Sequence, residues 1–206
     1  MELSNELKSF IKENSEWVEK YLKTNNFEGI YKLMLEKFDH KTTLKAFGNL
    51  VGEFTDFMFS LDVNPLKYLT NIPSSYFYNS KLDKVTIPEN IFWIHATAFE
   101  ESNISYIEFA PGINLRYIGY GAFANCEKLK EIHIPHGVES IGQDAFENCI
   151  NLESITIPVS ATSISWSAFS GCNNLKTLIY EGNSQEYKWN LKSVKLPDGC
   201  KVICRG

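Results

Sequence analysis

The chain contains no run of five or more lysines and arginines, and its 20 basic residues are outnumbered by 25 acidic ones, a formal net charge of −5. Without a basic stripe it lacks the electrostatic footprint of a nucleic-acid or anionic-membrane binder. No secretory leader is expected either: Met1-Glu2-Leu3-Ser4-Asn5-Glu6 interrupts any apolar stretch at once. The longest uncharged segment, Ser154 to Leu175, is studded with Ser, Thr and Asn and broken by Pro158, so it would insert poorly into a bilayer. A cytoplasmic chain is expected.

Chemistry-bearing patterns are equally scarce. Gly119-Tyr120-Gly121 lacks the third glycine of a phosphate-cradling loop. His133 and His136 flank Pro135 at an expected strand end and share no helical ligand face, so they read as solvent-facing residues. Cys200 and Cys204 are four apart, without a further Cys/His pair to complete a metal site. No catalytic constellation, metal site or cofactor is expected.

The remaining cysteines, Cys126, Cys149 and Cys172, are 23 and 23 apart, and that period organises the chain. Residues 129–151 and 152–174 superpose without a gap. Leu129 falls on Leu152, Ile132 on Ile155, Ile134 on Ile157, Pro135 on Pro158 and Ile141 on Ile164. Ala145-Phe146 falls on Ala168-Phe169, and Cys149 on Cys172. Upstream, Ile104, Ile107, Phe109, Pro111, Ile118, Ala122, Phe123 and Cys126 repeat the pattern with about two inserted residues. Leu82, Val85, Ile87, Pro88, Ile94, Ala98 and Phe99 form an earlier copy that lacks the cysteine, and Ile72 and Phe77 form a half copy. Leu175-Leu178-Tyr180 and Leu191-Val194-Leu196-Pro197 start two more units that do not complete it.

One such unit cannot bury its apolar face alone, so units stack and each contacts its neighbours. Leu-x-x-Ile-x-Ile-Pro predicts a short strand with alternate residues inward and proline closing it. Strand starts are expected near Leu82, Ile104, Leu129, Leu152 and Leu175. The phenylalanines and the three periodic cysteines should form buried columns, the latter as reduced packing.

This consensus resembles the BspA-like, or Treponema-type, leucine-rich repeat over about residues 70–200. The resemblance implies an α/β chain with a right-handed solenoid and a parallel β-face. It also implies a non-enzymatic binding surface for another protein, and many such proteins are surface-attached.

Residues 1–68 follow helical periodicity and predict a small all-α module of three helices ahead of a repeat domain at 69–206, with a C-terminal cap from about residue 175. Ser4 can cap the first helix and Thr42 or Thr43 the third. The module either covers the first coil of the solenoid or offers a second binding or dimerising surface. The cap is the expected role; Phe57-Met58-Phe59, too apolar for a helix with one dry face, points to the second surface, and the two roles are compatible.

Candidate binding residues come from comparing coils. The outward sites occupied by Glu139-Ser140 and Thr162-Ser163 carry Phe92-Trp93 and Arg116-Tyr117 earlier in the chain. Trp, Tyr and Arg dominate binding energy at protein interfaces. Phe92, Trp93, Tyr106, Arg116 and Tyr117 are therefore the expected protein-binding set, with Tyr120 and Trp166 a weaker second group. The expected partner is another protein. An intracellular binder leads, with a phage or mobile-element inhibitor of a host protein or a surface adhesin as alternatives.

Overall fold

The computed structural model describes residues 65–191 and 193–206. The predicted three-helix module at 1–68 lies outside the described residues except for its end, where Pro65–Tyr68 forms a 3-10 turn. The Asn90 side chain donates to the carbonyls of Leu66 and Leu69 and ties this turn to the first full coil.

Each of the four complete coils contributes two strands separated by a corner. The longer strands are β2 (Lys84–Ile87), β4 (Tyr106–Phe109), β6 (Glu131–His133), β8 (Ser154–Ile157), β10 (Thr177–Tyr180) and β11 (Lys201–Cys204). All but β11 begin two residues after the leucines and isoleucine that mark the repeat. The short ones are β1 (Asn71–Ile72), β3 (Trp93–Ile94), β5 (Tyr117–Ile118), β7 (Ser140–Ile141) and β9 (Ser163–Ile164). Every pairing is parallel, and equivalent repeat residues sit in register. Ile94, Ile118, Ile141 and Ile164 form one inward column and Ile132, Ile155 and Leu178 another, with Val202 in register on the last strand but exposed.

The third wall is built from tight turns stitched to one another. The amides of Phe77, Phe99, Phe123 and Phe146 donate to the carbonyls of Ala98, Ala122, Ala145 and Ala168 in the next coil, at 2.7–2.8 Å. Each turn needs a left-handed corner, filled by Asn79, Glu101, Asn125, Asn148 and then Gly171. Asn and Gly tolerate that conformation, which accounts for the Asn or Gly immediately before each of Cys126, Cys149 and Cys172. The Phe rings stack face to face behind these turns, with centroids 4.6, 5.0, 5.2 and 5.6 Å apart from Phe77 through Phe169.

The glycine after the short strand has a packing cause. A Cβ on Gly142 would lie 2.7 Å from the backbone carbon of Gly119 in the coil below, so the two coils approach closely there.

Two departures from regularity follow. The incomplete unit begun by Leu191-Val194-Leu196-Pro197 forms no strand among its described residues, and the last strand is β11 at Lys201–Cys204. A helix, α1 (Ser184–Asn190), takes up the intervening chain, and Leu191 is its buried C-cap. Val194 and Leu196 still pack against the core, which is why their pattern imitated a strand.

The second departure is a split wall. The short strands form one continuous sheet, β1-β3-β5-β7-β9, whereas the long strands divide into β2-β4 and β6-β8-β10-β11. The cause is the insertion visible in the sequence. From β4 to β5 the starts are 11 residues apart (117 − 106), against 9 from β6 to β7 (140 − 131). The two extra residues bulge the segment 110–116 directly behind β4, and no backbone hydrogen bond joins residues 105–110 to 130–135.

Candidate functional site

The short-strand wall brings Trp93 and Tyr117 into register as Cα partners of β3 and β5. Their rings lie 5.2 Å apart between centroids, tilted by 48°. Phe92 meets the edge of Tyr117 at 5.7 Å, and His95 stacks on Trp93 at 4.7 Å. Because strands of two residues leave little wall to pack on, Phe92 and Trp93 remain 42% and 39% exposed. Arg116 borders this cluster, its guanidinium donating to the Gly137 carbonyl at 3.0 Å and lying 3.8 Å from the Glu139 carboxylate. That hydrogen bond and ion pair orient the side chain beside the rings.

Four of the five predicted site residues are thus neighbours. Tyr106 is not among them. It belongs to β4 on the other wall, where it is 44% exposed and lines a cleft of about 400 Å³ at the split. The cleft runs between Tyr106 to Ile113 on one lip and His133, Pro135 and His136 on the other. The weaker pair, Tyr120 and Trp166, is exposed on a further column.

His133 and His136 are exposed, as read from the repeat, but they share a partner that sequence reasoning missed. The Glu181 carboxylate lies 3.8 Å from His133 and 3.3 Å from His136. The available signal was that Glu181 replaces the proline seen at Pro135 and Pro158. Among the described residues no group of three or more His, Cys, Asp and Glu is placed to hold a metal ion. No described helix is long and apolar enough to cross a membrane.

The periodic cysteines are buried free thiols with a specific task. Cys126, Cys149 and Cys172 donate through sulfur to the carbonyls of Phe99, Phe123 and Phe146 in the coil before, at 3.0, 3.1 and 2.9 Å. In the earlier coils the buried Ser80 and Ser102 hold this column, and the Ser102 hydroxyl contacts Cys126 sulfur at 3.3 Å. The copy that lacks cysteine therefore keeps a small residue with a donor. Burial pushes the Cys126 thiol up to about 12, and the Cys149 thiol is raised by its contact with Cys172 and by burial. Thiolate is the reactive form. Native alkylation with iodoacetamide at neutral pH should therefore modify Cys200 and Cys204, which are partly exposed, and leave the other three untouched. Peptide mass mapping before and after unfolding checks this, and alkylation of Cys149 in the folded chain would contradict it.

The BspA type leucine rich repeat region model matches six copies, over residues 60–176 and 94–205. Among curated proteins none matches the chain. Solved structures with similar folds include a leucine rich cell surface protein from Faecalibacterium prausnitzii, 27% identical over 57% of this chain and 37% of that one, with a TM-score of 0.42. A leucine-rich repeat protein from Bacteroides ovatus is 23% identical over 65% of this chain and 41% of that one, with a TM-score of 0.49. The leucine rich repeat protein of T. pallidum is 29% identical over 52% of this chain and 48% of that one, with a TM-score of 0.46. The chain thus spans less than half the length of each of these proteins. Because the matched copies run through more than half of its sequence, the chain belongs to the BspA-type leucine-rich-repeat family.

Proposed function

We propose that this chain is a non-catalytic scaffold that binds another protein through the cluster of Phe92, Trp93, Arg116 and Tyr117. The observation that carries the reading is the exposure of Phe92 and Trp93 at outward sites where the later coils place Glu139, Ser140, Thr162 and Ser163. The repeat does not need rings there to fold. Exposed aromatic area of this kind marks a surface that something covers. Flanking Arg116, already held in place, loses little conformational freedom on binding.

Five free thiols, three of them stacked along one column, suit a reducing compartment, and a cytoplasmic partner is part of this reading. Catalysis forms no part of it.

The test begins with affinity capture by the intact chain and mass spectrometry to find the partner. Trp93→Ala combined with Tyr117→Ala should then weaken binding of that partner by about 2 kcal/mol or more, the hot-spot scale, with the melting temperature nearly unchanged. A marked fall in melting temperature with unchanged binding would mean that the chain's own residues cover these rings, and would overturn the assignment.

A further inference from the structure

We propose that Tyr120, Gln143 and Trp166 form a second binding site, a platform along the solenoid axis for an extended, uncharged β-1,4-linked glycan that lays one sugar on each coil. It lies on the corner that follows the short strands. It stands whether or not the cluster of Phe92 and Trp93 binds a partner in a reducing compartment.

The backbone puts the three side chains in line. Each follows the isoleucine of its short strand, Ile118, Ile141 or Ile164, by two residues. On one side of them the amides of Gly142 and Ser165 donate to the carbonyls of Ile118 and Ile141, at 2.8 and 3.0 Å. On the other side the amides of Phe123 and Phe146 donate to the carbonyls of Ala145 and Ala168, at 2.7 and 2.8 Å. With both flanks bonded from coil to coil, the corners between them stack at the strand spacing of about 4.8 Å. Tyr120 and Trp166 are two coils apart and therefore stand about 10 Å from each other, with Gln143 midway. The Trp166 carbonyl also accepts from the Lys195 amide at 3.0 Å, which ties the segment after α1 to this corner.

The side chains say what fits. Trp166 is 62% and Tyr120 53% exposed, more than either exposed ring of the first cluster. Folding does not ask for rings there, since Ala96 and Ser74 hold the same site in the two coils before. Rings this far apart cannot together exclude water as the packed centre of a protein interface does. They suit a ligand that brings its own apolar faces at a fixed interval. A pyranose has a face of C–H groups and a rim of hydroxyls, which matches the apolar body and polar tip of tyrosine and tryptophan. Sugars of a β-1,4-linked chain lie flat and advance by nearly the step of a coil, so every second sugar meets a ring. Gln143 is exposed between the rings, and its amide nitrogen donates to Asp144 at 3.1 Å. Its carbonyl oxygen is an acceptor for a hydroxyl of the middle sugar. Gly119, Gly121, Ser165 and Ser167, which flank the two rings in the chain, carry no charge, and Asp144 and Lys195 are of opposite sign. The strip therefore matches an uncharged, hydroxyl-rich ligand.

NMR titration of the full chain with cello-oligosaccharides, followed at the Trp166 indole and the Gln143 backbone amide, tests the site. Cellotetraose and cellohexaose should shift both signals, and cellobiose should not, because it is too short to reach from Tyr120 to Trp166. Maltohexaose, which joins the same sugars into a coiled chain, should bind more weakly than cellohexaose. Tyr120→Ala and Trp166→Ala should each weaken cellohexaose about tenfold, with the melting temperature unchanged because both rings face solvent. Gln143→Tyr, which adds a ring at the middle step, should tighten it, and Trp93→Ala should leave it as it was. The proposal fails if no cello-oligosaccharide binds, if cellobiose binds as tightly as cellohexaose, or if the ring substitutions leave the affinity unchanged. Capture of a protein through Trp166, with no glycan bound there, would overturn it as well.

Discussion

Phe146→Ala is expected to destabilise the fold by about 3–5 kcal/mol, the range for truncating a buried aromatic side chain. Phe146 is fully buried, and its ring is stacked between Phe123 at 5.2 Å and Phe169 at 5.6 Å. Its amide bond to Ala168 and its carbonyl, which accepts from the Cys149 amide and the Cys172 thiol, would survive the change. Those bonds fix the spacing of the coils above and below, so the backbone cannot collapse into the hole. The cavity therefore persists, and its cost adds to the lost transfer energy of the ring. A urea titration monitored by circular dichroism measures the loss. A change below about 1 kcal/mol would show that the ring column does not hold the coils together.

The second large effect is alkaline. In the unfolded chain a thiol releases its proton near its ordinary value of 9.0, whereas buried Cys126 keeps it to about 12. Between those values the unfolded state binds fewer protons than the native one, so stability falls as pH rises. The contribution is fully present below pH 9 and lost on the way to about 12, roughly 4 kcal/mol at about 1.4 kcal/mol per unit. Cys149, raised as well, acts in the same direction. Unfolding followed from pH 8 upward should therefore show a steep loss of stability above pH 9. Cys126→Ser is the informative variant, because serine already fills this column at Ser80 and Ser102. It should fold normally at neutral pH and retain more stability in alkali than the parent. An identical alkaline limb in the variant would show that the thiol is not responsible.

Much of the fold was legible because a repeat states its rules several times. Ile132/Ile155 and Phe146/Phe169 superpose without a gap, and each column is a register pair or ring stack in the structure. Features that occur once were harder to read. Helix α1 was missed although Asn183 and Glu186 form a complete capping box, because seven residues between two strand-like patterns have no room for a periodic apolar stripe. Leu191, Val194 and Leu196 pack inward as a strand would, and only the β10–β11 register distinguishes the two. The proposed binding cluster rests on asking where coils disagree, which locates residues along the chain but not around it. Tyr106 was grouped with Trp93 and Tyr117 for that reason, although β4 and β5 belong to different walls.

The two inserted residues behind β4 also have a mechanical meaning. Along the short-strand wall every coil is bonded to the next, while the long-strand wall is cut at one level. Flexing that widens this cut stretches no ladder on the cut wall, while the β5–β7 pair and the turn bonds from Gly121, Phe123 and Asn125 to Gln143, Ala145 and Glu147 keep the two coils joined. Flexing at any other level must strain a hydrogen-bonded pair of long strands. The rod is therefore stiff in most directions and compliant in one, so a load applied to its two ends would be felt first at Tyr106 and His133.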